Sequence, residues 1–376
     1  MNILHIIDTL GVGGAEQALV NLLPELVSMG DQVHAAALRP PADLAPALET
    51  AGVTVHALPT FNKWNLLAGV QAVNRIARTV SADVVHAHLL FPGVYTGFAR
   101  RFGGLQARTC ITYHNLAYAP GCNKPGPGLT LRKQLNRISS SLGMDLRLAV
   151  STAAAEHYAH ALHPGPIAVL GNPVPISAID RVAEAFTPAS PDVPENLKLV
   201  LPGRLVHEKG HSILLEALAI CAQEAVRFRT VFAGDGPLRH QLEQQIRNQN
   251  LPVTIAGRLA HADMLATMAA ADIVVVPSRF EGFGITAAEA MTLRRPVIAA
   301  RTGGLPDVVS ASGTGLLFDN GDPVSLARCL IQLARDTDLR ARMGEAGRRR
   351  IQERFDAPAI ARQLRSCYRQ LLETDP

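Results

Sequence analysis

Short apolar runs recur along this chain, each followed by a longer stretch whose apolar residues keep helical spacing. That alternation constrains the fold more than any other feature. Ile3–Ile7, Gln32–Leu38, Val53–Leu58, Val84–His88, Arg108–Tyr113 and Leu146–Val150 read as strands, with helices over Ala15–Met29 and Leu66–Val80. Strands separated by helices or long crossovers imply a parallel sheet covered on both faces. The rhythm stops between Gly165 and Asn196, where Pro166, Pro173, Pro175, Pro188, Pro191 and Pro194 deny both helix and central strand. It resumes with strands at Leu197–Leu201, Phe228–Ala233, Val253–Ala256, Ile273–Val276 and Val297–Ala300, and helices at Ile213–Cys221, Leu238–Gln249, Met264–Ala270 and Thr286–Met291. A helical tail runs from Pro323 to about Leu372. The reading is α/β: two Rossmann-like, doubly wound domains, 1–172 and 197–356, joined by a Pro-rich linker, 173–196.

Composition excludes several classes. With 48% apolar and 18% charged residues, the chain has ample material for large cores and is not generally disordered. Five cysteines, widely spaced and without a CxxC pair, argue against a disulfide framework or a Cys-ligated zinc site and fit a reducing cytosol. The N-terminus lacks the basic head and long apolar run of a signal peptide, and no apolar run reaches the ~18 residues of a spanning helix. A cytoplasmic location is expected. The net charge of +4 divides evenly between the halves, yet residues 100–147 hold eight Lys or Arg against one acid, Asp145.

In open α/β sheets ligands bind beyond the carboxyl ends of the strands, so the loops after strands carry most of the functional information. After the first strand comes Gly11-Val12-Gly13-Gly14-Ala15-Glu16. It can bring backbone N–H groups to a phosphate or sugar, or it is a tight turn. Glu16 stands where a dinucleotide fingerprint needs its third glycine, and no P-loop pattern occurs. Gly203-Arg204-Leu205-Val206-His207-Glu208-Lys209-Gly210 sets two cations five residues apart on a loop leading into a helix, which suits a diphosphate or a solvated surface. Gly234-Asp235-Gly236-Pro237 follows another strand. The densest loop is Pro277-Ser278-Arg279-Phe280-Glu281-Gly282-Phe283-Gly284-Ile285, with Glu289 eight residues beyond Glu281. Its glycines free amides where a helix starts, an anion site, and two carboxylates nearby can accept hydrogen bonds from sugar hydroxyls.

Taken in order, these residues resemble the retaining glycosyltransferases of family 4, which have the GT-B fold. The resemblance rests on Gly13-Gly14-Ala15-Glu16, His86-Ala87-His88, Tyr113-His114-Asn115, Gly203-Arg204 with Lys209-Gly210, Gly234-Asp235-Gly236-Pro237, Glu281 with Glu289, and Gly303-Gly304-Leu305-Pro306-Asp307. The tail Leu339–Arg348 is similar as well. The resemblance implies two domains facing a cleft, a C-terminal one for a nucleotide-sugar and an N-terminal one for the acceptor, with the final helix within 357–376 crossing back onto the N-terminal domain. Arg204 and Lys209 would neutralise the donor diphosphate, and Glu281 would hold hydroxyls of the transferred sugar. Gly282, Phe283, Gly284 and Ile285 would line sugar and phosphate, Glu289 the ribose, and Arg258 the base. Gly14 and Gly234 would lie near the donor, and His114 near its sugar. His114, Arg204, Lys209 and Glu281 form the implied catalytic set, as positioning and stabilising groups. Acceptor contacts would fall to Gly13, His86, His88 and Asn115, although the two histidines are equally read as capping their strand.

The implied reaction moves a hexose-type sugar, from a UDP-sugar in most relatives, to a saccharide or lipid-linked acceptor in bacterial surface polysaccharide or glycolipid synthesis. Neither a cofactor nor a metal is expected. The sole D-x-D, Asp336-Thr337-Asp338, reads as a helix boundary, and His157, His160 and His163 as a surface helix face. The basic amphipathic stretch Leu129–Ile138 is compatible with peripheral contact at an anionic membrane, at the inner face, and equally with ordinary solvated charge. No nucleic-acid motif accompanies it. Other readings are a sugar-nucleotide epimerase of the same fold, a nicotinamide oxidoreductase, and a non-catalytic sugar-nucleotide-binding subunit.

Overall fold

The computed structural model describes residues 1–58, 62–119, 122, 126–185, 197–310 and 313–373. The chain divides into two compact units, Met1–Pro173 with Ala357–Pro376, and Val174–Asp356.

In the first unit the strands are β1 (Asn2–Ile7), β2 (Gln32–Ala37), β3 (Thr54–Ala57), β4 (Val84–His88), β5 (Arg108–Tyr113), β6 (Leu146–Ala149) and β7 (Ala168–Val169). They form one parallel sheet in the order β3-β2-β1-β4-β5-β6-β7. Its helices are α1 (Gly14–Ser28), α2 (Ala45–Thr50), α3 (Leu66–Thr79), α4 (Leu90–Phe102), α5 (Pro127–Gly143) and α6 (Thr152–Leu162). The strand order reverses between β1 and β4, so the loops after those two strands flank the switch point where open sheets bind ligands.

The second unit opens with α7 (Ile176–Ala185) and holds β8 (Leu197–Pro202), β9 (Phe228–Ala233), β10 (Val253–Ile255), β11 (Ile273–Val276), β12 (Val297–Ala300) and β13 (Leu316–Phe318). These are parallel too, in the order β10-β9-β8-β11-β12-β13, with the switch point between β8 and β11. Around them lie α8 (His211–Gln223), α9 (Arg239–Asn248), α10 (His261–Ala269), α11 (Ile285–Thr292), α12 (Leu305–Val308), α13 (Pro323–Arg335) and α14 (Thr337–Arg354). The final helix, α15 (Ala357–Glu373), belongs to the first unit. There Ile360, Ala361, Leu364 and Tyr368 are buried with Leu19, Leu22, Leu23 and Leu26 of α1 in one core. Arg365 adds a two-point ion pair to Asp31, at 2.7 and 3.2 Å.

The expected linker requires correction. Residues 176–185 are the helix α7, with Ile176 and Ile179 buried, and it packs on α10 and α11. Pro173 and Pro175 lie just ahead of its first turn, where a missing N–H costs nothing. Val174 is part of the second unit, its N–H bonded to the Phe355 carbonyl at 2.8 Å. Residues 186–196 lie outside the described residues. The helical tail from Pro323 is three helices, α13, α14 and α15. Asp336 ends the first and caps the next, its carboxylate accepting from the Leu339 N–H at 2.8 Å, so the D-x-D is a helix boundary.

Candidate functional site

In the second unit, loops from four neighbouring strands pack backbone to backbone at the switch point. The turn after β9 lies against the loop after β8. Leu205 N–H donates to the Asp235 carbonyl at 3.0 Å, and a Cβ on Gly234 would stand 1.9 Å from the Gly203 carbonyl oxygen. The loop after β11 is tied to the β8 loop by Arg279 N–H to the Glu208 carbonyl at 2.7 Å. The loop after β12 holds Glu281 from behind. Gly304 N–H donates to the Glu281 carbonyl at 3.0 Å, and Gly303, at φ +51°, would place a Cβ 1.8 Å from that oxygen. Only glycine fits there, on both conformation and space.

These contacts bring Lys209 and Glu281 together. Lys209 Nζ lies 2.8 Å from Glu281 Oε2, which also accepts from Ser278 Oγ at 3.3 Å. The sequence assigns these two groups to separate parts of a donor. In the structure they form one ion pair, with side chains 29% and 18% exposed. Arg204 is exposed and makes no ion pair among the described residues. Gly284, in the left-handed region, caps α11, whose first N–H groups have no intrahelical partner. Phe283 is buried against Phe355. Within α11, Glu289 is buried, and its Oε1 meets His261 Nε2 at 2.7 Å. That hydrogen bond raises the His261 pKa above its ordinary value. Arg258 is exposed in the loop after β10, three residues before His261. His261 escapes the sequence reading because nothing in its spacing marks it, and Ser278 stands in the densest loop without a role of its own.

The first unit concentrates histidines. His5 on β1 and His86 on β4 are register partners, and His88 lies two residues along on the same face. All three are at most 1% exposed. His86 Nδ1 meets the Tyr368 hydroxyl, and His86 Nε2 lies 2.7 Å from Thr112 Oγ1. His88 bridges His5, at 3.0 Å, and His114, at 2.9 Å. Burial lowers the pKa of all four, to about 3 for His5 and about 4 for His114, which keeps them neutral at pH 7. The expectation that His86 and His88 touch an acceptor is therefore corrected. Their ring nitrogens are occupied by protein partners inside the sheet core. Asn115 is exposed, and its Oδ1 accepts from Tyr158 at 2.9 Å. Gly13 caps α1 by its backbone, while the Glu16 carboxylate folds back over it and accepts from Thr9 at 3.1 Å. Gly14 begins that helix. His157 on α6 accepts from the Tyr118 N–H at 3.1 Å, and His163 is the left-handed residue that ends the helix.

Two parallel doubly wound units, each with its loops gathered at a switch point, define the GT-B class of fold. Solved structures agree. UDP-bound HepE (Alr3699) from Anabaena superposes with a TM-score of 0.81 at 23% identity, covering 98% of this chain and all of that one. Sucrose-phosphate synthase from Thermosynechococcus elongatus gives 0.79 at 22% identity, covering 99% of each. Residues 12–178 match the model described as Glycosyltransferase Family 4, and residues 184–350 the one described as Glycosyl transferases group 1. The chain belongs to this family. A D-inositol 3-phosphate glycosyltransferase of Streptomyces avermitilis is 29% identical over 92% of this chain and 81% of its own length. The α-D-kanosaminyltransferase of Streptomyces kanamyceticus is 32% identical over 45% of this chain and 44% of its own. The chain spans about half the length of the first curated relatives it matches.

Proposed function

We propose that the protein is a retaining glycosyltransferase that moves a hexose-type sugar from a UDP-sugar to a saccharide or lipid-linked acceptor, in bacterial surface polysaccharide or glycolipid synthesis. The observation that carries the reading is the Lys209–Glu281 pair, held by Ser278 and the Gly303-Gly304 backbone beside the N-terminus of α11. As the donor bond breaks, negative charge develops on the diphosphate. Lys209, Arg204 and the free amides of α11 stabilise it where it forms. Glu281 holds hydroxyls of the transferred sugar, and Glu289 with His261 holds the ribose. The departing phosphate takes the acceptor's proton on the same face, so configuration is retained without a protein nucleophile. Fixed cations do the work of charge neutralisation, and no metal is required. UDP in HepE supports this base for the donor.

The test is a thermal-shift panel with UDP, GDP, ADP and NAD, each with and without EDTA, followed by product analysis with UDP-glucose. Ligand at 100 times its Kd adds about 2.7 kcal/mol. Stabilisation by UDP that EDTA leaves unchanged is expected. Stabilisation by NAD alone, or isomerised sugar-nucleotide formed without an acceptor, overturns the reading.

Contact of the first unit with an anionic membrane surface, at the cytoplasmic face, is part of the proposal. Helix α5 packs on α4 through small residues, a Cβ on Gly143 falling 2.0 Å from the Gly97 carbonyl oxygen. Leu135 packs against the core, whereas Leu131, Ile138 and Leu142 are exposed, as are Phe102 of α4, Arg101 and Arg137. An exposed apolar stripe interleaved with cations suits an anionic leaflet. Retention in the supernatant with anionic liposomes at low salt overturns this part.

A further inference from the structure

Where β12 begins in the second unit, helices α7, α10 and α11 pack together and leave a cavity of about 330 Å³. Its wall is Asp180 and Ala183 of α7, Ala269 of α10, and residues 292–295, which end α11 and lead into β12. The donor loops lie elsewhere. Helix α11 runs from its Gly284 cap, in the loop that carries Glu281, to Thr292, about 12 Å at 1.5 Å per residue. Strand β12 starts just after Arg295 and delivers Gly303 and Gly304 beyond its other end. The cavity therefore sits at the opposite end of both elements from the donor loops.

Arg295 is the group in that wall without a partner. Its side chain is half-buried, its Nε is buried with no hydrogen bond, and its guanidinium makes no ion pair among the described residues. Burial pushes its pKa below the ordinary arginine value, and the Asp272 carboxylate offsets this only in part. Asp272 is itself engaged by the Lys198 N–H at 2.7 Å. A desolvated cation with no partner costs stability, and an anion in the cavity would remove that cost. The other charges of the wall are already matched. Arg348 holds both Asp180 oxygens, at 2.8 and 2.6 Å, and donates to the Thr292 carbonyl at 2.9 Å. Glu345 pairs with Arg294 at 3.1 Å. The Thr292 hydroxyl donates to the Ala288 carbonyl at 2.8 Å, so the rest of the wall is small and apolar. The volume is at the small end for ligand sites, which suits a single small metabolite. We propose that this cavity binds a small oxyanion, a phosphate monoester or a carboxylate, whose head takes the Arg295 fork and whose compact body lies against Ala183, Ala269 and Leu293. The site is additional to the donor loops and does not rest on the nucleotide-sugar reading.

The experiment is titration calorimetry at low salt with three probes, inorganic phosphate, glycerol 3-phosphate and isobutyrate, each without and with saturating UDP. At least one probe should bind with a Kd of about 1 mM or tighter. UDP should leave that Kd within about twofold, as for distant independent sites. Binding of the two phosphates alone identifies a phosphate head, and binding of isobutyrate alone a carboxylate. Arg295→Met should weaken the bound probe by about tenfold or more and leave UDP affinity unchanged. Arg295→Lys, which keeps the charge without the fork, should weaken it less. Because methionine removes an unpartnered, half-buried cation, the Tm of Arg295→Met should hold or rise. A fall in Tm or a failure to fold means that Arg295 serves the fold itself, and overturns the proposal. So does the absence of binding by all three probes, or binding that UDP abolishes. A loss equalled by Arg247→Met, which removes an exposed cation in the last turn of α9, also overturns it. If UDP itself does not bind, the nucleotide-sugar reading fails, and the cavity is judged on the probes and the Arg295 variants without it.

Discussion

Replacing Glu281 with Gln should move UDP affinity and transfer activity in opposite directions. In the folded chain Lys209 is engaged by Glu281 at 2.8 Å. A diphosphate that recruits Lys209 must compete with that carboxylate. At this separation and an effective dielectric near 20, the gross attraction is about 6 kcal/mol. Desolvation cancels most of it. Exposed pairs are worth about 0–1 kcal/mol, and breaking a buried pair costs about 3–5. With the two side chains 29% and 18% exposed, this pair lies between those limits, at about 1–2 kcal/mol. Glu281→Gln keeps the shape and the hydrogen bond from Ser278 while removing the competing charge. UDP, which has no sugar for Glu281 to hold, should then bind about 5- to 30-fold tighter by titration calorimetry. Turnover with UDP-glucose should fall, because the sugar loses a charged hydrogen-bond acceptor. Lys209→Met should weaken UDP by a comparable or larger factor. Unchanged or weaker UDP binding by Glu281→Gln, in a variant with wild-type Tm, would refute the idea that the pair is broken on donor binding.

Three further predictions follow from particular contacts. His261 is raised above its ordinary pKa by Glu289, so its contribution to stability is complete below about pH 6.5, the unfolded value, and disappears as pH rises through the raised folded value. A Tm–pH profile should show that loss in the wild type, and Glu289→Gln should flatten it. Gly303→Ala must accommodate a Cβ 1.8 Å from the Glu281 carbonyl at φ +51°, and should cost about 2–4 kcal/mol in urea unfolding while displacing Glu281 and lowering activity. Leu364→Ala, fully buried where α15 meets α1, should cost about 2–5 kcal/mol, checked by the same unfolding. A cost below 1 kcal/mol would mean that α15 contributes little to the first unit.

Much of the fold was legible because short apolar runs and period-3.6 apolar patterns are local. Val84–His88 and Arg108–Tyr113 read as strands with the same bounds in both accounts. Proline density misled at 173–185, since proline weakens a helix interior but is welcome just before one, and Ile176 and Ile179 are buried within the second unit. The glycine loops were legible as sites for the same local reason. A glycine that must approach another backbone leaves its mark in the sequence whatever it approaches.

What the amino-acid order determined by itself was the architecture: two doubly wound units, their switch-point loops, and the family to which the chain belongs. Only the tertiary structure decided the pairings. Lys209 meets Glu281 across 72 residues of chain, Glu289 meets His261 across 28, and Tyr368 reaches His86 across 282. His86 and His88 look alike in the sequence with His5 and His114, yet three of these rings share one chain of hydrogen bonds and the fourth is held by hydroxyls. The physical reason is range. Propensity and periodicity act over a few residues, whereas charge neutralisation, burial and the direction of a hydrogen bond are settled by whichever groups the sheet order brings within about 3 Å.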